Sequence, residues 1–138
     1  MEEELRKRLE ALGVADRAEL RGYVPIDGEL PQLYRSSHAL LHVSWTEGVP
    51  QVLFEAFAAG LPVVATAVGG VPAQVGDAAV LVPPGNAERA ADALASLARD
   101  AALGERLAAR GLERVRATTL EGETGRVAAF IAAAAGRG

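Results

Sequence analysis

The sequence predicts an α/β fold, a parallel sheet with helices on both faces. Helical and strand-like segments alternate along the chain, and the strand-like ones are short, nearly continuous apolar runs, as strands covered from both sides would be. The chain is 138 residues long, 50% hydrophobic and 23% charged, with no apolar run long enough to span a bilayer. That is the size of one domain, 1–138, able to bury a core without staples.

Leu5, Leu9 and Leu12 recur at helical spacing over residues 3–12, and Gly13 stops that helix. AELRGYV, Ala18–Val24, reads as a first strand, broken by PIDGELP, whose Asp27-Gly28 pair marks a turn. A short helix follows over Leu30–Ser37, then a second strand, HALLHVS, over His38–Ser44. A helix from about residue 50 ends at Gly60; PVVAT is the third strand and AVLVP, Ala79–Pro83, the fourth, closed by the turn PPGN. Three helices complete the chain near 87–99, 101–116 and 122–135, the second weakened by Gly104 and Gly111. In Rossmann-like sheets of this kind ligands bind beyond the carboxyl ends of the strands. That rule selects the loops Ser44–Val49, Ala67–Pro72 and Tyr23–Gly28.

Several function classes are disfavoured at once. The opening EEELRKRLEAL is a charged amphipathic helix and not a signal core. With no cysteine there is no disulfide scaffold, thiolate metal site or cysteine nucleophile, and a cytoplasmic location is permitted. A net charge of -4 argues against a nucleic-acid partner. Two histidines without ligand spacing make no case for a metal. His42 and Trp45 read as a strand-end histidine and a packing indole, Arg17 and Arg35 as surface charges, and Tyr23 as a half-buried strand-end ring.

The informative stretch is TEGVPQVLFEAFAAGLPVVAT, Thr46–Thr66. Pro50 suits the first position of a helix, and Gly48 before it lets a ligand approach the backbone. The amides from Val49 to Leu53 include donors with no intrahelical acceptor, which together with the helix dipole make an anion site suited to a diphosphate. Glu55 lies over a turn further on, on one face with Gln51 and Val52, and matches two neighbouring ribose hydroxyls. Glu47 precedes the helix, where it meets sugar hydroxyls or a developing positive charge. Each feature also has a plain structural reading. Acidic residues collect near helix N-termini because the dipole favours them, Glu47 alone suits a solvated loop, and Gly69-Gly70 alone is an ordinary turn.

Taken together, the run Ser44–Pro72 closely resembles the carboxyl-terminal, donor-binding domain of retaining GT-B glycosyltransferases, the group often called family 4 or group 1. The shared pattern is two glutamates with seven residues between them, a small-residue helix, a G-x-P-V-V-A strand and a Gly-Gly loop. LRGYV and LPQLYRSSHALLHVS before it, GDAAVLVPPGN after it and the terminal helices fit as well, so nearly the whole chain is covered. The resemblance implies that Glu55 holds the donor ribose and Glu47, as the catalytic carboxylate, the hydroxyls of the transferred sugar. It implies further that Gly48, Val49, Pro50, Gln51 and Val52 present the diphosphate site, with Gly69 and Gly70 beside it and backbone near Tyr23 lining the base pocket. The substrate is then a nucleoside-diphosphate sugar, with no cofactor and no metal, and the enzyme a hexosyltransferase.

Departures from the family pattern shape the rest of the expectation. Ala73 stands where a glutamate is usual, and Val43 precedes Ser44 where proline is usual. The amino-terminal acceptor domain is missing, as are the opening strand and helix whose Arg and Lys clamp the diphosphate, so the chain is expected to be part of a GT-B half and inactive alone. The alternative is a stand-alone, non-catalytic module binding a nucleotide or sugar phosphate. Val127, Phe130, Ile131 and Ala134 form an apolar stripe, from which self-association through residues 122–135 is expected. A parent enzyme of this kind admits a peripheral membrane acceptor, and the Ala and Arg richness points to a bacterial source.

Overall fold

The computed structural model describes residues 2–25 and 28–119, with Gly122, Thr124, Gly125, Val127 and Ala129. Most of the expected helix 122–135, and of its stripe Phe130, Ile131 and Ala134, lies outside the described residues. The chain divides into two compact units, Met1–Pro31 and Gln32–Gly138.

In the first unit, helix α1 (Glu2–Ala11) has no buried residue and is laced by exposed Glu2–Arg6 and Glu3–Lys7 pairs at i,i+4. Gly13, at φ +66°, ends it, with the Val14 amide reaching back to the Leu9 carbonyl. A short 3-10 turn, Ala15–Arg17, follows, which the sequence pattern did not signal. Ala18–Val24 is not the expected strand. Gly22 sits at φ +60°, which breaks an extended run, and no described segment pairs with it. Tyr23 is accordingly 87% exposed instead of half-buried.

Three parallel strands organise the second unit: β1 (Leu40–His42), β2 (Val63–Thr66) and β3 (Ala79–Val82), in the order β1-β2-β3. Leu40 stands opposite Val63, and Val63 opposite Ala79. All four residues of β2 are buried. Because successive strand residues face opposite ways, β2 serves two cores. Val63 and Ala65 pack with Leu53, Ala56 and Phe57 of α3 (Gln51–Ala58) and with Val71 and Val75 of α4 (Val71–Val75). Val64 packs with Val82 and with Ala90 and Ala93 of α5 (Ala87–Arg99), so helices cover both faces as predicted. Full burial of Phe57 and Leu53 contributes about 1.5–3 kcal/mol each.

The remaining helices are α2 (Leu30–Ser36) and α6 (Ala101–Ala117). Helix boundaries after β3 come from local caps: the Asn86 side chain accepts from the Arg89 amide at 2.9 Å, and Asp100 from the Leu103 amide at 3.0 Å. Gly111, read as a weak point of α6, is where that helix crosses α3. A β-carbon there would stand 2.5 Å from the Phe57 ring, so only glycine admits the approach. Helix α4 begins with Val71 and Pro72, the end of the expected loop Ala67–Pro72, and its last carbonyls are held from outside: Arg114 donates to Ala73 at 3.4 Å and Gln74 at 3.1 Å.

Candidate functional site

Two loops leave the carboxyl ends of β1 and β2, and their backbones pack directly on one another. A β-carbon on Gly69, whose φ is +50°, would overlap the Glu47 carbonyl oxygen, and one on Gly70 the Gly48 carbonyl. The Gly-Gly pair therefore does more than turn the chain. It lets the β2 loop press against the loop that carries Glu47. Thr66 at the end of β2 fixes the same loop: its hydroxyl donates to the Ser44 carbonyl and accepts from the Ser44 amide, both at 3.0 Å. Thr66 is 2% exposed, so this exchange is shielded from water.

Ser44, so placed, donates from its hydroxyl to Glu47 Oε1 at 2.5 Å. His42 Nε2 meets the same oxygen at 3.1 Å. The Ser44 hydrogen bond, reinforced by His42, holds the Glu47 carboxyl below its usual range, so it is ionised at neutral pH. Both protein contacts fall on Oε1, leaving Oε2 without a protein partner among the described residues.

After Glu47 the chain passes through exposed Gly48 and Val49, the latter 63% exposed, into α3. Pro50 is the residue before the helix and not its first member, because its ψ of 115° is extended; the helix begins at Gln51. The Leu53 amide is taken by the Pro50 carbonyl at 3.3 Å. Among the described residues, the amides of Val49, Gln51 and Val52 have no backbone acceptor, so the anion-binding donors are fewer than the expected run to Leu53. Glu55 is part-buried on the flank of α3, whose core side is Leu53, Ala56 and Phe57. Its Oε2 accepts from the Tyr34 phenol of α2 at 2.8 Å. Burial first, then that hydrogen bond and the carboxylate charge, push the Tyr34 phenol up to about 12.

Four contributors were not identified from sequence. Tyr34 is 21 residues from Glu55 and leaves no local signal. His42, read as a plain strand-end residue, shares a face with Ser44 by strand alternation, and that periodicity was the available clue. In the sequence Thr66 stands out only as the end of the PVVAT strand. Gln74 of α4 reaches the Pro50 carbonyl at 3.4 Å, and its buried Oε1 has no partner. Tyr23 belongs to the first unit, where its ring is exposed. Among the described residues no three His, Asp or Glu side chains converge as a metal set requires, and no helix is long and apolar enough to cross a membrane.

A parallel sheet layered by helices, with carboxylates and open amides at the strand ends, defines the class: a Rossmann-like α/β domain. The chain belongs to the family described as glycosyl transferases group 1, whose model matches residues 1–114. It is 38% identical over 102 residues to an exopolysaccharide phosphotransferase of Streptomyces coelicolor, covering 72% of this chain and 11% of that one. To the O-antigen chain mannosyltransferase B of Escherichia coli it is 33% identical over 95 residues, covering 69% of this chain and 25% of the relative. Its Rossmann-like α/β fold matches that of GT-B glycosyltransferase structures. The HepE protein of Anabaena, solved in complex with UDP, superposes with a TM-score of 0.85 at 23% identity over 95% of this chain and 36% of that one. The chain thus spans only 11% to 26% of the length of the curated relatives it matches.

Proposed function

We propose that this chain is the donor-binding domain of a retaining glycosyltransferase that uses a nucleoside-diphosphate sugar. The observation that carries the reading is the contact of the Gly69-Gly70 loop with Glu47 and Gly48 beside the unpartnered amides of Val49, Gln51 and Val52. Those amides and the positive end of α3 receive the diphosphate. Glu55 accepts from the ribose hydroxyls, and Glu47, through Oε2, from hydroxyls of the transferred sugar. Gly70 lets the β2 loop approach the Gly48 carbonyl, next to these amides. The UDP and UDP-glucose complexes of the Anabaena neighbour support the choice of donor class.

In the parent enzyme the bond between the anomeric carbon and the diphosphate oxygen breaks, the diphosphate leaving with the electron pair. The acceptor oxygen bonds to the same carbon and releases its proton, with configuration retained. This domain's share is electrostatic: amides stabilise the departing charge, and ionised Glu47 faces an oxocarbenium-like sugar. The acceptor, including a membrane-peripheral one, belongs to the amino-terminal domain of the parent. This chain alone binds donor and does not turn it over, and it needs no metal to do so.

Calorimetric titration with UDP, GDP and ADP tests the reading. Saturable binding of one of them is expected, weakened roughly tenfold or more in Glu55→Ala. Absence of binding by all three, or binding indifferent to Glu55→Ala, overturns it.

A further inference from the structure

We infer that Tyr34 is the positioning residue of the ribose site and gives it selectivity for ribose over deoxyribose. The inference rests on the donor-binding reading above, since it concerns what Glu55 can do once a nucleotide arrives. Tyr34 packs against the apolar cluster of α3 and β2, so its ring is fixed while its hydroxyl points at Glu55 Oε2 from 2.8 Å. Among the described residues no other side chain donates to that carboxylate and no cation pairs with it.

The chemistry of the donor matters. A lysine or arginine at this place would orient Glu55 and also neutralise it, reducing its strength as an acceptor. A phenol orients without neutralising. A carboxylate offers about four lone-pair positions, and the phenol takes one of them. Oε1 is left whole and Oε2 half free, so two vicinal hydroxyls can still each find an oxygen. An unheld glutamate would have to lose its rotamer freedom when the ligand binds; Tyr34 has removed that freedom beforehand. The benefit is confined to ligands that use Glu55. A nucleotide lacking the 2′-hydroxyl makes one fewer bond to the carboxylate and gains correspondingly less from its being held.

The test compares whichever of UDP, GDP and ADP binds with its 2′-deoxy counterpart, on the 138-residue chain and on Tyr34→Phe, Glu55→Ala and the double variant. The wild type is expected to prefer the ribonucleotide. Tyr34→Phe loses roughly five- to tenfold in affinity for the ribonucleotide and under about twofold for the deoxynucleotide, so the ratio contracts. In the Glu55→Ala background Tyr34→Phe has no further effect on the ratio. Equal losses on both nucleotides, or an unchanged ratio in Tyr34→Phe, overturn the inference and leave donor binding standing. Failure of the wild type to bind, or insensitivity to Glu55→Ala, removes the donor reading and this inference with it. Should Tyr34→Phe not melt cooperatively, fluorotyrosine at position 34 keeps the shape and changes donor strength, and must then alter the ratio.

Discussion

Glu47 and Glu55 are both acceptors held through one oxygen, but the structure holds them by different means. Glu47 sits on a loop, and its orientation is inherited: Thr66 fixes Ser44, Ser44 and His42 fix the carboxylate, and the two glycines let the neighbouring loop brace the backbone. Glu55 sits on a helix whose backbone is already set by the buried Leu53, Ala56 and Phe57, so a single phenol completes it. Here the loop carboxylate rests on a chain of supports and the helical one on a single phenol. The arrangement at Glu47 should therefore be fragile at several points, some remote from the carboxylate, and that at Glu55 at only one.

The strongest way to break the comparison is Gly69→Ala. The methyl group would overlap the Glu47 carbonyl and take a left-handed backbone, so the two loops must part. A loss of about 2–3 kcal/mol of stability in urea unfolding is expected, together with loss of nucleotide-sugar binding. Gly60→Ala is the control, since Gly60 has φ +73° but open space at its β-carbon, and only backbone strain of about 1–2 kcal/mol applies. Similar losses at the two sites would mean that the loops do not brace each other.

Ser44→Ala acts on the Glu47 side alone. The Ser44 hydroxyl is the main reason this carboxyl titrates below its usual range. A depressed folded-state value contributes stability that is present above the unfolded carboxylate pKa and lost as pH falls through the folded one. The variant should titrate Glu47 at higher pH and begin its acid unfolding earlier, with neutral-pH binding of the nucleotide alone almost unchanged and the contribution of the sugar reduced. NMR titration of the Glu47 carboxyl against pH checks the direction, and an unmoved curve would show that Ser44 is only a spacer.

Legibility in the sequence followed the range of the interaction that decides each feature. Helix α5 was placed to the residue because its signals are local: Asn86 caps it, and Asp100 ends it while capping α6. PVVAT was legible because strands buried on both faces are apolar at every position, and all four residues of β2 are buried. AELRGYV offers only Tyr23 and Val24 as strong strand formers and is not a strand, since a strand is defined by a partner and by the absence of a residue such as Gly22 at positive φ. Pro50 precedes its helix instead of opening it, a matter of its own ψ angle that the sequence does not record. At the site, the acidic pair and the Gly-Gly loop stood out by motif. The groups that orient them did not: Tyr34 and Thr66 reach their partners across 21 and 22 residues of sequence, and no periodicity records a contact between different elements.

The smallest expected effect concerns what Glu55 does to Tyr34 in return. In a Tyr23→Phe background Tyr34 is the remaining tyrosine, and its ultraviolet tyrosinate band should appear near pH 12. Burial is the leading cause of that rise, the hydrogen bond to Glu55 the next and the carboxylate charge the least. Glu55→Gln keeps an acceptor and removes the charge, so the titration should fall slightly; Glu55→Ala removes both and should fall further, yet remain above the ordinary tyrosine value of about 10 because the ring is still buried. The linked stability has the opposite sign from that of Glu47. A raised phenol pKa contributes stability that is complete below the unfolded value and disappears as pH rises through the folded one, so the wild type should lose it only at strongly alkaline pH. A Glu55→Ala titration identical to wild type would mean that burial alone sets the phenol. The 2.8 Å contact would then have no energetic weight, and the helix-borne carboxylate would be as unsupported as the loop-borne one is supported.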